Sequence, residues 1–251
     1  MFDEPFRWME AISTRHSYVQ EKLKKGQPVL AVPFNEGVLL LSFTQQPGKI
    51  FEVYDRIALG GLGHPADVER LRMTLLDMAH LEGFNRSDKD VTIARLLQFG
   101  VAPALKQNFE EIQRAPYLAK LLLVEIGFDD HPTFFRLNYD GHWETFKKGA
   151  VISGQSEESD WMDNKISKTN FAAMPLDEAL REACVIWEAG KKQIPVDEDD
   201  PEAEQPIPLS KAFDQFSLEV GVLSTAGGRK SLYRKLTKQE TDTLKASFKH
   251  A

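Results

Sequence analysis

The sequence predicts an α+β fold in which two mainly antiparallel sheets pack on each other with helices outside. Three observations predict it. Apolar runs of strand length come in blocks, short polar or glycine turns join the runs within a block, and amphipathic segments separate the blocks. A doubly wound parallel sheet would alternate strand and helix singly. With 251 residues, 42% of them hydrophobic, the chain suffices for one large domain or two small ones.

The first element is a helix, because Met9, Ile12, His16, Val19 and Leu23 recur at steps of three and four. Gly26 is placed to end it, and Lys22, Lys24 and Lys25 suit the negative end of its dipole. Two apolar runs, 29–34 and 38–43, flank Asn35-Glu36-Gly37 and predict a hairpin buried on nearly both faces. Strands are expected at 49–54 and 56–59, with Gly60, Gly61 and Gly63 at the junction that follows. Asp67 is a candidate N-cap for a helix through Val68, Leu71, Leu75 and Met78 that ends near Gly83.

Ser87-Asp88-Lys89-Asp90 offers capping groups for a further helix through Ile93, Leu97, Val101 and Leu105, which Pro103 bends or interrupts. Strands are expected at 121–126 and 133–137, and Asp140-Gly141 is the strongest hairpin turn, with 143–146 returning. Segment 157–168 turns polar, as a surface loop or the start of a helix. Leu176, Ala179, Leu180, Ala183 and Trp187 mark another amphipathic helix, with Gly190 as its cap. Segment 195–208, rich in proline and acidic residues, reads as a mobile surface loop and not a domain linker, because strands 216–223 and 231–236 follow, joined by Gly227-Gly228. Thr237 and Glu240 form a capping box for a short last helix. One domain over 1–251 is the organisation this order implies.

Composition narrows the function classes. A net charge of −7 argues against a general nucleic-acid binder, which needs a basic face. The single cysteine, Cys184, excludes an internal disulfide framework and fits a reducing compartment. The start, Met1-Phe2-Asp3-Glu4-Pro5, lacks the basic and apolar regions of a signal peptide, and no apolar run approaches the ~20 residues that span a bilayer. A soluble cytoplasmic protein without membrane or nucleic-acid partners is the expectation. None of His16, His64, His80, His131, His142 and His250 has metal-ligand spacing, and Gly60-Gly61-Leu62-Gly63 lacks the lysine of a phosphate loop. No metal or cofactor is expected. Arg229-Lys230 with Arg234-Lys235 reads as a solvated face, and so does the acidic loop.

Lys49 stands at the mouth of one apolar strand, followed by a polar turn and a second strand ending in glycines. A lysine flanking a strand is ordinarily solvated. The order of elements, however, together with Glu36-Gly37-Val38-Leu39-Leu40, 49–56, 61–67, Asp90-Val91-Thr92, Tyr139-Asp140-Gly141, 176–180 and 217–223, resembles the proteasome superfamily. The resemblance spans nearly the whole chain in order and is nearest to the α-type subunit of the actinobacterial-style 20S proteasome. It implies the N-terminal-nucleophile hydrolase fold, a four-layer αββα sandwich.

Catalytic subunits of that family begin their first strand with a threonine that serves as both base and nucleophile. Counting back from Glu36-Gly37, its place is held by Gly26-Gln27-Pro28, and the place of the family's acidic residue falls on Phe43. Only the lysine remains, as Lys49, and the nearest preceding threonine, Thr14, lies inside the first helix. The resemblance therefore implies no catalytic residue. It implies a non-catalytic subunit in rings of seven, stacked on a threonine-type β subunit, with Met1, Phe2, Asp3, Glu4, Pro5 and Phe6 at the axial gate. Those six residues depart from the Tyr-Asp-Arg gating string of archaeal and eukaryotic subunits. The resemblance further implies that Lys49, with Gly61 and Gly63, receives the C-terminal carboxylate of a ring-shaped AAA-type ATPase activator. Glycines at a strand–helix junction also simply make the turn. In a ring, the Met9 to Leu23 stripe has two uses, core or neighbour contact. The alternatives are an active, divergent N-terminal-nucleophile hydrolase and a self-assembling scaffold without a protease partner.

Overall fold

A computed structural model describes residues 4–45, 48–193, 207–226 and 232–249. Two five-stranded sheets form its centre. The first has the order β10-β9-β2-β1-β8, from β1 (Val29–Phe34), β2 (Gly37–Thr44), β8 (Ala150–Ile152), β9 (Ser217–Ser224) and β10 (Tyr233–Lys235). The second runs β3-β4-β5-β6-β7, from β3 (Ile50–Tyr54), β4 (Ile57–Gly63), β5 (Ala119–Ile126), β6 (Pro132–Leu137) and β7 (Trp143–Phe146). Every pairing is antiparallel.

The side-chain period of two explains why these strands are buried on both faces. Leu30, Val32 and Phe34 of β1 point to the outer helices α5 (Ser156–Lys168), α6 (Leu176–Lys191), α7 (Leu209–Gln215) and α8 (Lys238–Lys249), and join Trp187, Phe213 and Leu244. Val29 and Ala31 of the same strand point the other way and meet Ala58, Leu122 and Val124 of the second sheet. Leu59, Leu121, Leu123 and Phe135 line the far side. There they pack on α2 (Pro65–Asn85), the single turn α3 (Ile93–Leu96) and α4 (Ala102–Glu110). The result is the expected α+β sandwich of two antiparallel sheets between helices. Helix α1 (Glu4–Leu23) stands apart from these layers and closes one end, where Val19 and Leu23 enter the core between the sheets. Met9 of the same stripe is 62% exposed, so core burial claims only the helix's C-terminal half.

Several boundaries differ from expectation for physical reasons. Asp67 does not cap α2. His64 is the N-cap, Pro65 opens the helix, and the Asp67 carboxylate accepts the Leu118 N–H at 2.9 Å. Ser87 caps only a short 3₁₀ turn, and Thr92 caps α3. A π turn at Leu97–Val101 then separates α3 from α4, so the interruption lies just before Pro103, which sits in the first turn of α4. Strand β4 runs past Leu59 through its glycines to Gly63. The polar segment from 157 is helix α5, and Thr237 and Glu240 do form their capping box. Strand β8 and helix α7 were not expected, being three and seven residues long. Most of loop 195–208 and the Gly227-Gly228 turn lie outside the described residues.

Candidate functional site

The site forms where α1 ends. After Leu23 the chain crosses the end of the sandwich, and the Gly26 N–H donates to Leu23 O at 2.8 Å before the chain enters β1. Gly26 passes so close to the second sheet that a Cβ there would lie 2.9 Å from Leu62 Cγ. Lys49, just ahead of β3, reaches across to this crossing, and its Nζ donates to Gln27 O at 2.8 Å. Its main chain is tied on both sides. Lys49 N donates to Glu219 Oε2 at 2.7 Å, and Lys49 O accepts from Gly61 N at 2.8 Å.

These contacts correct the solvated reading of Lys49. Burial lowers its ammonium from the ordinary 10.5 to about 8. The nearby Glu219 carboxylate opposes that shift, and Lys191 adds slightly to it.

The second lysine of the site is Lys235. It is exposed, as expected, and its Nζ also lies 2.6 Å from Glu219 Oε1 and 5.5 Å from the centre of the Phe51 ring. Lys22, Lys25, Lys49 and Lys235 all line one open cleft of about 890 Å³, together with Gly61 and Gly63. The structure thus brings Lys49, Gly61 and Gly63 together.

The glycines are inside a strand, and their lack of a side chain is a packing requirement. A Cβ on Gly61 would lie 2.3 Å from Val68 Cγ1. Gly63 adopts φ +131°, and a Cβ there would meet Leu118 O at 1.9 Å.

Of the gate residues, Met1, Phe2 and Asp3 lie outside the described residues, while Glu4, Pro5 and Phe6 open α1. Phe43 is fully buried and meets Trp187 at a tilt and Phe213 edge-on, at centroid distances of 4.4 and 5.2 Å. Gln27 offers a carbonyl to Lys49, and its amide oxygen is buried without a hydrogen-bond partner. Among the described residues no group of His, Cys, Asp and Glu is arranged to hold a metal ion.

Sequence reasoning missed Glu219. The signal was present in strand alternation. In 217–224 the inward positions carry Glu219, Gly221 and Leu223, and a carboxylate on such a face needs cationic partners.

Comparison with known proteins fits this architecture. The model of the proteasome subunit family matches residues 23–192, from the end of α1 to just past α6. The chain is similar to the proteasome subunit alpha of Actinosynnema mirum, 28% identical over 186 residues, which covers 72% of this chain and 68% of the relative. That of Acidothermus cellulolyticus is 26% identical over 175 residues (68% and 73%), and that of Thermomonospora curvata is 27% identical over 183 (72% and 77%). Among the described residues no helix is long and apolar enough to cross a membrane. A family match over most of the two-sheet sandwich, joined by relatives of the alpha type over two thirds or more of their length, places this chain in the proteasome subunit family.

Proposed function

We propose that this chain is a non-catalytic α-type subunit of a 20S-type proteasome. It forms the outer ring, restricts entry through residues Met1 to Phe6, and docks a ring-shaped AAA-type ATPase while a β-type partner cleaves peptide bonds. The observation that carries this reading is the bond from Lys49 Nζ to Gln27 O. A lysine with its pKa brought down to about 8 is suited to assist proton transfer, but it needs a hydroxyl or thiol beside it to do so. Gln27 supplies an amide and Phe43 an apolar ring. Lys49 Nζ donates to a main-chain carbonyl, and the Thr44 hydroxyl in the cleft donates to Gln45 O, which leaves no hydroxyl or thiol bonded to the lysine among the described residues. What the cleft does offer is lysine ammonium groups around a recess, with Gly63 exposed at the end of β4, which suits a peptide's terminal carboxylate. Cytoplasmic work fits the lone Cys184, a buried thiol whose pKa burial pushes up to about 12.

An N-terminally processed hydrolase would have to shed everything before Gln27, including Val19 and Leu23 from the core between the sheets. The test is to purify the chain alone and together with a proteasome β subunit, measure intact mass, and assay peptide cleavage. The expected outcome is an uncut chain that is inactive alone, cleavage only with β present, and ring assembly that survives Lys49→Ala while ATPase binding does not. Cleavage by the chain alone overturns the non-catalytic reading. ATPase binding that survives Lys49→Ala overturns the docking role.

A further inference from the structure

Glu219 is a carboxylate set on a strand face that otherwise carries Gly221 and Leu223 toward the opposite sheet. It reaches two of the lysines that line the cleft, Lys49 and Lys235. Oε2 accepts the Lys49 N–H at 2.7 Å, and Oε1 accepts from Lys235 Nζ at 2.6 Å. Room for it depends on Gly48, since a Cβ there would lie 2.7 Å from Oε1. The two partners differ in freedom, because the Glu219 side chain is 11% exposed and that of Lys235 is 48%. Lys235 can swing away, and Glu219 stays anchored by the Lys49 main chain. The Lys49 ammonium has three donors, one of which Gln27 O takes.

We propose that Glu219 sets the cleft's affinity for a carboxylate by holding Lys235 in reserve. A bound carboxyl terminus takes Lys49 first and then draws Lys235 off Glu219 as its second cation. This rests on the docking role proposed above for Lys49. Lys235 leaves at little cost, because its half-exposed ammonium is solvated by water as it moves, while Glu219 keeps a partner in the Lys49 N–H. The ligand carboxylate gains charge-assisted bonds from two ammonium groups, and Glu219 keeps its bond to Lys49 N. The charge on Glu219 also opposes the incoming charge, so the same residue positions the site and restrains it.

Glu219→Gln retains an acceptor for the Lys49 N–H and removes the competing charge. The probe is a fluorescein-labelled Gly-Ser hexapeptide ending in leucine, with a free carboxylate or as its C-terminal amide, titrated by anisotropy onto the assembled protein at pH 7. Relative to the unaltered protein, Glu219→Gln is expected to bind the free carboxylate on the order of 5-fold more tightly and the amide no differently. Lys235→Met is expected to bind the carboxylate more weakly, and the gain from Glu219→Gln should shrink in that background. Equal or weaker binding by Glu219→Gln overturns the proposal, as does a gain that extends to the amide or survives intact in Lys235→Met. Should Glu219→Gln fail to assemble, Lys235→Met decides alone, and unchanged affinity overturns it. Lys49→Ala runs in parallel. Binding that persists in that variant sinks the docking reading itself, whereas binding lost there with no effect of Glu219→Gln sinks only the role of Glu219.

Discussion

Replacing Lys49 with Met should make the protein more stable at neutral pH while removing the cation proposed to dock a partner. Methionine keeps the unbranched stem and drops the charge. Burial holds the folded ammonium at about 8, against 10.5 when unfolded, even with Glu219 nearby. At 1.36 kcal/mol for each pH unit of that gap, the buried charge opposes folding by about 3 kcal/mol near pH 7. The sign follows from proton binding. The unfolded chain holds this proton more tightly, so the penalty is full below pH 8 and fades as pH rises toward 10.5. Losing the bond to Gln27 O subtracts about 1 kcal/mol from the gain at every pH. The advantage of Lys49→Met over the unaltered chain should therefore fall by about 2.5 kcal/mol between pH 7 and pH 10. Urea denaturation of both proteins at pH 7, 8, 9 and 10 measures it, provided the m-values agree. An advantage that stays constant across that range would refute the assignment of a strained, charged lysine.

Three further outcomes follow from packing and charge. Leu23→Ala removes a side chain 1% exposed at the junction of α1 and the core between the sheets, and should cost about 2–5 kcal/mol by chemical denaturation. A loss below 1 kcal/mol would mean that α1 is not part of the folded core. Gly61→Ala should lower the melting temperature, since its Cβ falls 2.3 Å from Val68 Cγ1, and Val68→Ala in the same chain should restore much of the loss. No rescue would place the strain elsewhere.

Asp163 accepts from Arg136 Nη1 at 2.9 Å, yet burial raises its carboxyl to about 6, with Arg136 opposing that rise. A raised folded pKa gives stability that is full below the ordinary 3.8 and lost as pH climbs through 6. Asp163→Asn should accordingly gain on the unaltered protein by up to about 3 kcal/mol at pH 7 and show no gain near pH 4. Equal stabilities at pH 7 would contradict it.

Much of the fold was legible because the decisive signal was local. The runs 29–34 and 38–43 are apolar at every step but Ser42, a pattern that fits strands covered on both faces, and β1 and β2 occupy them almost residue for residue. The capping box at Thr237 and the turn at Asp140-Gly141 carry their geometry in a few neighbouring side chains. The misreadings share another cause. Gly60, Gly61 and Gly63 look like a turn because glycine weakens a strand. Here β4 keeps them because Val29, Val68 and the Leu118 carbonyl press against the places their side chains would fill. Asp67 has the chemistry of a cap and spends it on the distant Leu118 N–H.

By itself, the sequence determined the fold class, the order of the long elements, and that Gly26-Gln27-Pro28 precedes the first strand with no threonine among them. Each of these depends on residue type at one position or on a short period along the chain. Only the tertiary structure decided the state of Lys49. Its ammonium meets Gln27, its main chain meets Gly61 and Glu219, and Lys235 arrives from the far end of the chain. Glu219 lies 170 residues from Lys49 in sequence, and the two meet because β9 pairs with β2 in one sheet while β3 begins the other. A pKa near 8 comes from that enclosure, and no reading of neighbours along the chain contains it.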